Sequence, residues 1–180
     1  MPLPPEDATA FPGEADGFER LWTPHRIAYI EGERPQDAQG EGCPFCAAPG
    51  RSDDDGLIVH RGEFCYVVMN LFPYNPGHVL ICPYRHVPLY VELTEAETLE
   101  FTALTKAAIR ALEAASSPMG FNLGMNQGAV AGAGIAAHLH QHVVPRWGGD
   151  ANFLPIVGRT KALPVLLDDT RRRLIGAWPT

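Results

Sequence analysis

Phe64-Cys-Tyr-Val-Val-Met69 and His78-Val-Leu-Ile-Cys82 decide the fold. Each is a short run rich in apolar, β-forming residues, and the breakers Pro73-Tyr-Asn-Pro-Gly77 lie between them. Such runs read as strands, and such a joint reads as the turn of an antiparallel hairpin. Leu57-Ile-Val-His60 is a third run, placed after the acidic turn Asp53-Asp-Asp-Gly56. Downstream, Phe121-Asn-Leu-Gly-Met125 and the stretch from His138 to Val144, which ends at Pro145, supply two more. The segment from Thr94 to about Ser116 has a different period. Phe101, Leu104, Ala108 and Leu112 recur at helical spacing. Thr94 and Glu97 form a capping-box pattern, and Ser116-Ser-Pro118 with Gly120 stops the helix. A terminal helix is predicted from about Pro164 to Ala177, with Pro164 near its first turn. The sum is an α+β fold: about five mostly antiparallel strands, one long inserted helix and one C-terminal helix.

The chain has 180 residues, 46% hydrophobic and 19% charged, which is globular composition for one domain. Residues 1–17 are rich in breakers (Pro2, Pro4, Pro5, Pro12, Gly13) and are expected to form a flexible N-terminal arm, with residues 18–180 as a single domain. Phe18, Leu21, Trp22, Ile27, Tyr29 and Ile30 need burial, either on the domain's own core or across a dimer contact. Fourteen basic against 21 acidic residues give a net charge of −7, which argues against a broad nucleic-acid face. A small anion can still be held in one local pocket. No stretch reaches the ~18 apolar residues of a membrane span, and the N-terminus lacks the basic and apolar regions of a secretory signal. Four cysteines do not make a disulfide framework, so a cytoplasmic location is expected.

Three of the seven histidines fall in His138-Leu-His140-Gln-His142. In a strand, alternate side chains share a face, so the three imidazoles would line up about 7 Å apart in successive pairs. Neutral imidazole near pH 7 can be a nucleophile, a base or a metal ligand. The outer two would lie about 13 Å apart, too far to converge on one catalytic ion. Just upstream, Gly128-Ala-Val-Ala-Gly132-Ala-Gly134 is either a loop of small residues or a backbone nest for phosphate. The histidines beside it and Arg146 beyond favour the phosphate cradle. Cys43-Pro-Phe-Cys46 has metal-knuckle spacing, which alone is equally a redox motif or chance. Cys65 and Cys82 sit inside apolar runs and read as buried thiols, while His25 and His60 have no evident partner.

These residues together resemble the histidine triad family. His138-Leu-His140-Gln-His142-Val-Val144 is similar to its His-x-His-x-His signature, and Asn75-Pro-Gly-His78-Val-Leu-Ile-Cys-Pro83 to its Pro-Gly-His strand. Asn70 and Asn126-Gln-Gly128 match polar positions near its substrate, so the resemblance covers about residues 43–147. It implies that His140 attacks an α-phosphorus to form a covalent nucleotidyl-histidine, which splits one hard displacement into two easier ones. His142 would then bond phosphoryl oxygens or the leaving group, with His138 completing the triad. Asn70, His78, Asn126 and the loop residues Gly132, Ala133 and Gly134 would contact the nucleotide. No catalytic metal is required by that chemistry. The family also implies a structural zinc on Cys43, Cys46, His86 and His138, and a homodimer.

Pro145-Arg-Trp147-Gly-Gly-Asp150, Leu21-Trp-Thr-Pro24 and Leu71-Phe-Pro-Tyr-Asn-Pro76 look like the actinobacterial diadenosine tetraphosphate phosphorylases of the fragile-histidine-triad branch. That likeness implies inorganic phosphate as acceptor, with Trp147 near it. Where the branch tends to carry a Gly-Ser pair, this chain has Ala133-Gly134 and lacks the hydroxyl. Water as acceptor (a hydrolase), or a nucleoside phosphoramidate as substrate, therefore stays open at this stage.

Overall fold

The computed structural model describes residues 42–150 and 163–179. The expected N-terminal arm and the apolar patch from Phe18 to Ile30 lie outside the described residues. The strands are β1 (Ile58–Arg61), β2 (Cys65–Met69), β3 (Val79–Pro83), β4 (Gly120–Gly124) and β5 (Gln141–Arg146). The helices are α1 (Pro44–Ala47), α2 (Glu95–Ser116) and α3 (Leu167–Gly176). The strands form one antiparallel sheet in the order β1-β2-β3-β5-β4.

The hairpin of β2 and β3 pairs Cys65 with Pro83 through to Met69 with Val79, and every residue of both strands is buried. A strand buried on both faces needs cover on both. On one face, α2 packs Phe101, Leu104, Ala108 and Leu112 against Val67, Val79, Ile81 and Val143. The helix starts as its sequence dictates: the Thr94 side chain accepts from the Glu97 N–H, and Glu97 accepts from the Thr94 N–H. It ends where Ser117 turns to φ 46° ahead of Pro118. Glu100, on the same helix, accepts the N–H groups of Glu63, Phe64 and Cys65 and so ties the β1–β2 turn to it. On the other face, Ile58, Tyr66, Val68, Leu80 and Cys82 meet Phe45, Leu57 and Tyr84. The Tyr66 hydroxyl donates to the Phe45 carbonyl at 2.6 Å.

Three expectations shift. The last strand begins at Gln141, not His138, and runs on to Arg146. Residues 138–140 are held instead by other bonds, such as Leu139 N–H to the Val87 carbonyl. The terminal helix begins at Leu167, so Pro164 lies ahead of it rather than in its first turn. His60 does have a partner: its ring stacks on Trp178 at 4.7 Å and 15°. Cys65 and Cys82 are fully buried thiols as expected, and burial pushes Cys65 up to about 12. Arg171 is itself buried, donates to the Ile58 carbonyl and pairs with Asp54, which fastens α3 to β1.

Candidate functional site

Gly77 sets the first imidazole. Its φ of +83° and a notional Cβ only 2.9 Å from Leu112 leave no room for another residue. The chain therefore turns tightly into β3 and delivers His78, fully buried, beneath β5. The Tyr74 backbone N–H can only donate, and it donates to His78 Nδ1 at 3.0 Å. The His78 proton therefore sits on Nε2, which faces His142 Nδ1 at 2.9 Å. His142 accepts there, and in its neutral form carries its own proton on Nε2. Asn70 lies against the His78 ring, its amide nitrogen 3.3 Å from Nδ1, while its Oδ1 accepts the Phe72 N–H. Tyr74 stacks on His142 at 5.6 Å and 16°.

His140 is oriented by the backbone. Its Nδ1 lies 2.8 Å from the His138 carbonyl, which can only accept. The proton is thereby placed on Nδ1, and the Nε2 lone pair is left for chemistry. Its ring packs 4.9 Å from Phe45 and 5.1 Å from His142. Burial lowers the pKa of both imidazoles, and the neighbouring His140 adds to the fall for His142, which drops to about 4. Both are neutral at pH 7, so each offers one lone pair and one N–H.

His138 turns the other way. Its Nε2 donates to the Pro83 carbonyl at 2.9 Å, so the Nδ1 lone pair points at Cys43 and Cys46, 3.4 Å from each sulfur, and 3.2 Å from His86 Nδ1. His86 Nδ1 is 3.2 Å from the Cys46 sulfur. The four ligand atoms all lie within 4.8 Å of one another. A tetrahedral zinc with its usual bond lengths needs ligand edges of about 3.3–3.8 Å, so the donor set fits that ion. Burial and the adjacent Cys43 push the Cys46 thiol up to about 11, a bias that a bound cation reverses. Cys43 and Cys46 flank Phe45, whose ring touches both His138 and His140. The four-residue Cys/His corner and the His140 imidazole thus share one aromatic side chain.

The structure brings His78, His140 and His142 together and places Asn70 beside them. Asn126 lines a cleft of about 340 Å³ with Tyr74, Asn122, His142, Val144 and Arg146. Gly132, Ala133 and Gly134 follow a short 3₁₀ turn, Ala129–Ala131, with Gly132 at φ 84° and Ala133 buried. Trp147 is not among the cleft's lining residues. Its indole N–H donates to the Ser116 carbonyl at 3.3 Å, and its ring lines a separate apolar cavity with Leu112 and Leu174. Phe45, Tyr74 and Asn122 escaped the sequence reading. The only signal for Phe45 was its place inside the cysteine pair.

The sequence profile of the HIT domain matches residues 51–149. The chain is 47% identical to the "AP-4-A phosphorylase" of Mycobacterium tuberculosis over 96% of its own length and 92% of that protein. It is 36% identical over 97 residues, 54% of this chain and 53% of the other, to a "Bifunctional bis(5'-adenosyl)-triphosphatase/adenylylsulfatase" of Arabidopsis thaliana. Its fold matches a "ZN-bound histidine triad family protein" from Mycobacterium smegmatis with a TM-score of 0.62 at 23% identity, covering 77% of this chain and 94% of that one.

Proposed function

The chain belongs to the HIT domain family, and from that premise we propose that it is an enzyme that cleaves dinucleoside polyphosphates by phosphorolysis through His140. The observation that carries the mechanism is the tautomer pattern. His140 keeps a lone pair at Nε2 because its Nδ1–H is spent on the His138 carbonyl. His142 keeps an N–H at Nε2 because its Nδ1 is spent on His78. A nucleophile thus stands beside a donor.

In the first step Nε2 of His140 bonds to the α-phosphorus and the bridging P–O bond to the β-phosphate breaks. The electron pair goes to the leaving nucleoside polyphosphate, which His142 Nε2–H can bond or protonate. The positive charge that develops on His140 is stabilised through its Nδ1–H on the carbonyl. In the second step an oxygen of inorganic phosphate attacks the same phosphorus and the P–N bond breaks. From diadenosine tetraphosphate the products are ATP and then ADP. Asn70, His78, Asn126 and the Gly132–Gly134 loop hold the nucleotide in this reading. Its support for phosphate rather than water is the 47% identity to a phosphorylase across nearly the whole chain. In this reading Trp147, four residues after Val143, lies near the acceptor phosphate.

Cys43, Cys46, His86 and His138 would hold a zinc ion, which when bound supplies cross-linking of α1 to the segments that follow β3 and precede β5. With four protein ligands it keeps no open position for substrate. A homodimer belongs to the same reading. Strand β4 lies at the sheet edge, and the nearby Met119 and Leu123 are exposed. Among the described residues no helix is long and apolar enough to cross a membrane. A cytoplasmic setting suits four unpaired thiols.

The test is product analysis of diadenosine tetraphosphate with and without inorganic phosphate. ADP plus ATP, formed only with phosphate, is the expected result. AMP plus ATP regardless of phosphate would make the enzyme a hydrolase and overturn the acceptor.

A further inference from the structure

The cleft that begins at His142 does not end there. Strand β5 carries His142, Val144 and Arg146 on one face, and Asn122 of β4 pairs with Val144 on that face. Four residues of strand span about 13 Å, well beyond the reach of a single phosphate group at His140. In a chain of net charge −7, no carboxylate among the described residues lines this cleft. Arg146 and Asn122 put donors in its wall. Arg146 spends Nε and one Nη2 hydrogen on Asp150 and one Nη1 hydrogen on Asn122 Oδ1, and two of its five N–H groups remain. Because Asn122 Oδ1 accepts that bond, its amide N–H₂ is presented as a donor.

The arrangement is also rigid. Asp150 is gripped by Arg146 at 2.6 and 2.9 Å, by Asn75 Nδ2 at 2.7 Å and by the Trp147 N–H at 3.2 Å. Asn75 itself is buried and also donates to the Pro145 carbonyl. The guanidinium is therefore set before any ligand arrives, and its ordering is already accounted for in the fold. Planar donors held in this way suit phosphoryl oxygens better than a mobile lysine would.

We propose that Arg146 and Asn122 form a subsite for the phosphates beyond the α-phosphate, so that the leaving polyphosphate chain lies along β5 from His142 to Arg146. The proposal rests on the nucleotide reading above and adds a selectivity to it: the enzyme favours long phosphate chains. The ligand chemistry is the phosphoryl oxygen, which the acceptor phosphate shares with the leaving chain, so the experiment separates the two.

Titration calorimetry with AMP and with ATP is run on the wild-type protein and on Asn122→Ala and Arg146→Gln. Asn122 is exposed, so its replacement leaves the core intact. ATP should bind about tenfold more weakly to Arg146→Gln and about threefold more weakly to Asn122→Ala, with AMP changed less than twofold in both. Equal losses for AMP and ATP, or no loss for either, would overturn the subsite. Steady-state kinetics form the second arm. A rise in KM for diadenosine tetraphosphate supports the leaving chain as occupant. A rise in KM for inorganic phosphate alone assigns the residues to the acceptor and overturns the proposal. Wild-type protein that binds ATP more tightly than AMP, in an Arg146-dependent way, yet does not cleave the dinucleotide sinks the functional reading and leaves the subsite standing.

Discussion

Two clusters of imidazole lie within one ring of each other and are built to opposite ends. In the metal corner, His86 and His138 turn Nδ1 toward the sulfurs of Cys43 and Cys46, and edges of 3.2–3.4 Å converge on a point. In the reactive row, His78, His142 and His140 do not converge. Each uses one ring nitrogen on a fixed partner and turns the other elsewhere. The same side chain thus offers a lone pair in one place and an N–H in another, according to which nitrogen a neighbouring group has already taken. Both clusters depend on one residue. The Pro83 carbonyl fixes the ring of His138, and the carbonyl of His138 fixes the ring of His140.

The sharpest way to break the comparison is His140→Ala. Turnover of diadenosine tetraphosphate should fall by about a thousandfold or more while the Kd for AMP changes little. Single-turnover kinetics with calorimetry check it, and a variant that keeps wild-type kcat would remove His140 from the mechanism. Cys43→Ala attacks the other cluster. Bound zinc should drop below one per chain, and stability should fall by roughly 3 kcal/mol, or about 6–12 °C in Tm. Metal analysis and calorimetry read this. Unchanged stability at full loss of metal would show that the corner staples nothing.

Phe45→Ala probes the side chain the clusters share. Its ring touches His140 and His138, so kcat should fall about tenfold with zinc still bound, and Phe45→Tyr should restore most of it. An equal loss in both variants would separate the clusters. The smallest effect is in pH. The folded-state pKa of His142 is depressed from 6.5 to about 4, chiefly by burial. A depressed imidazole contributes stability that is fully present above the unfolded pKa near 6.5 and is lost as pH falls toward 4. Denaturant midpoints should therefore drop between pH 6.5 and 4, less so in His142→Gln. A variant with the same slope as wild type would place the titration elsewhere.

Much of this was readable before any coordinates. The capping box of Thr94 and Glu97, the period of Phe101, Leu104, Ala108 and Leu112, and the paired runs around Pro73–Gly77 each act over a few residues, and each formed as read. Cys43, Cys46, His86 and His138 were picked out through the family resemblance, since the cysteine spacing alone left a redox motif or chance open, and their ligand atoms do come together. What failed did so for a common reason. His138, His140 and His142 alternate in sequence, yet residues 138–140 precede the strand, and the ring of His138 is claimed by Pro83 and the cysteines, far along the chain. Trp147 follows the triad closely, and no local pattern foretold that its ring would line an apolar cavity with Leu112 and Leu174.

By itself, then, the sequence determined the elements, their order and the residue types available for chemistry. Helical and strand periods, caps and turns are written in neighbouring residues. The tertiary structure alone decided which nitrogen of each imidazole is occupied, which face Trp147 takes, and that Asn75, Asp150, Arg146 and Asn122 form one locked chain beside His142. Those outcomes rest on bonds spanning 24 to 75 residues of separation in most cases. No local pattern encodes a proton's position when the group that claims it arrives from another strand.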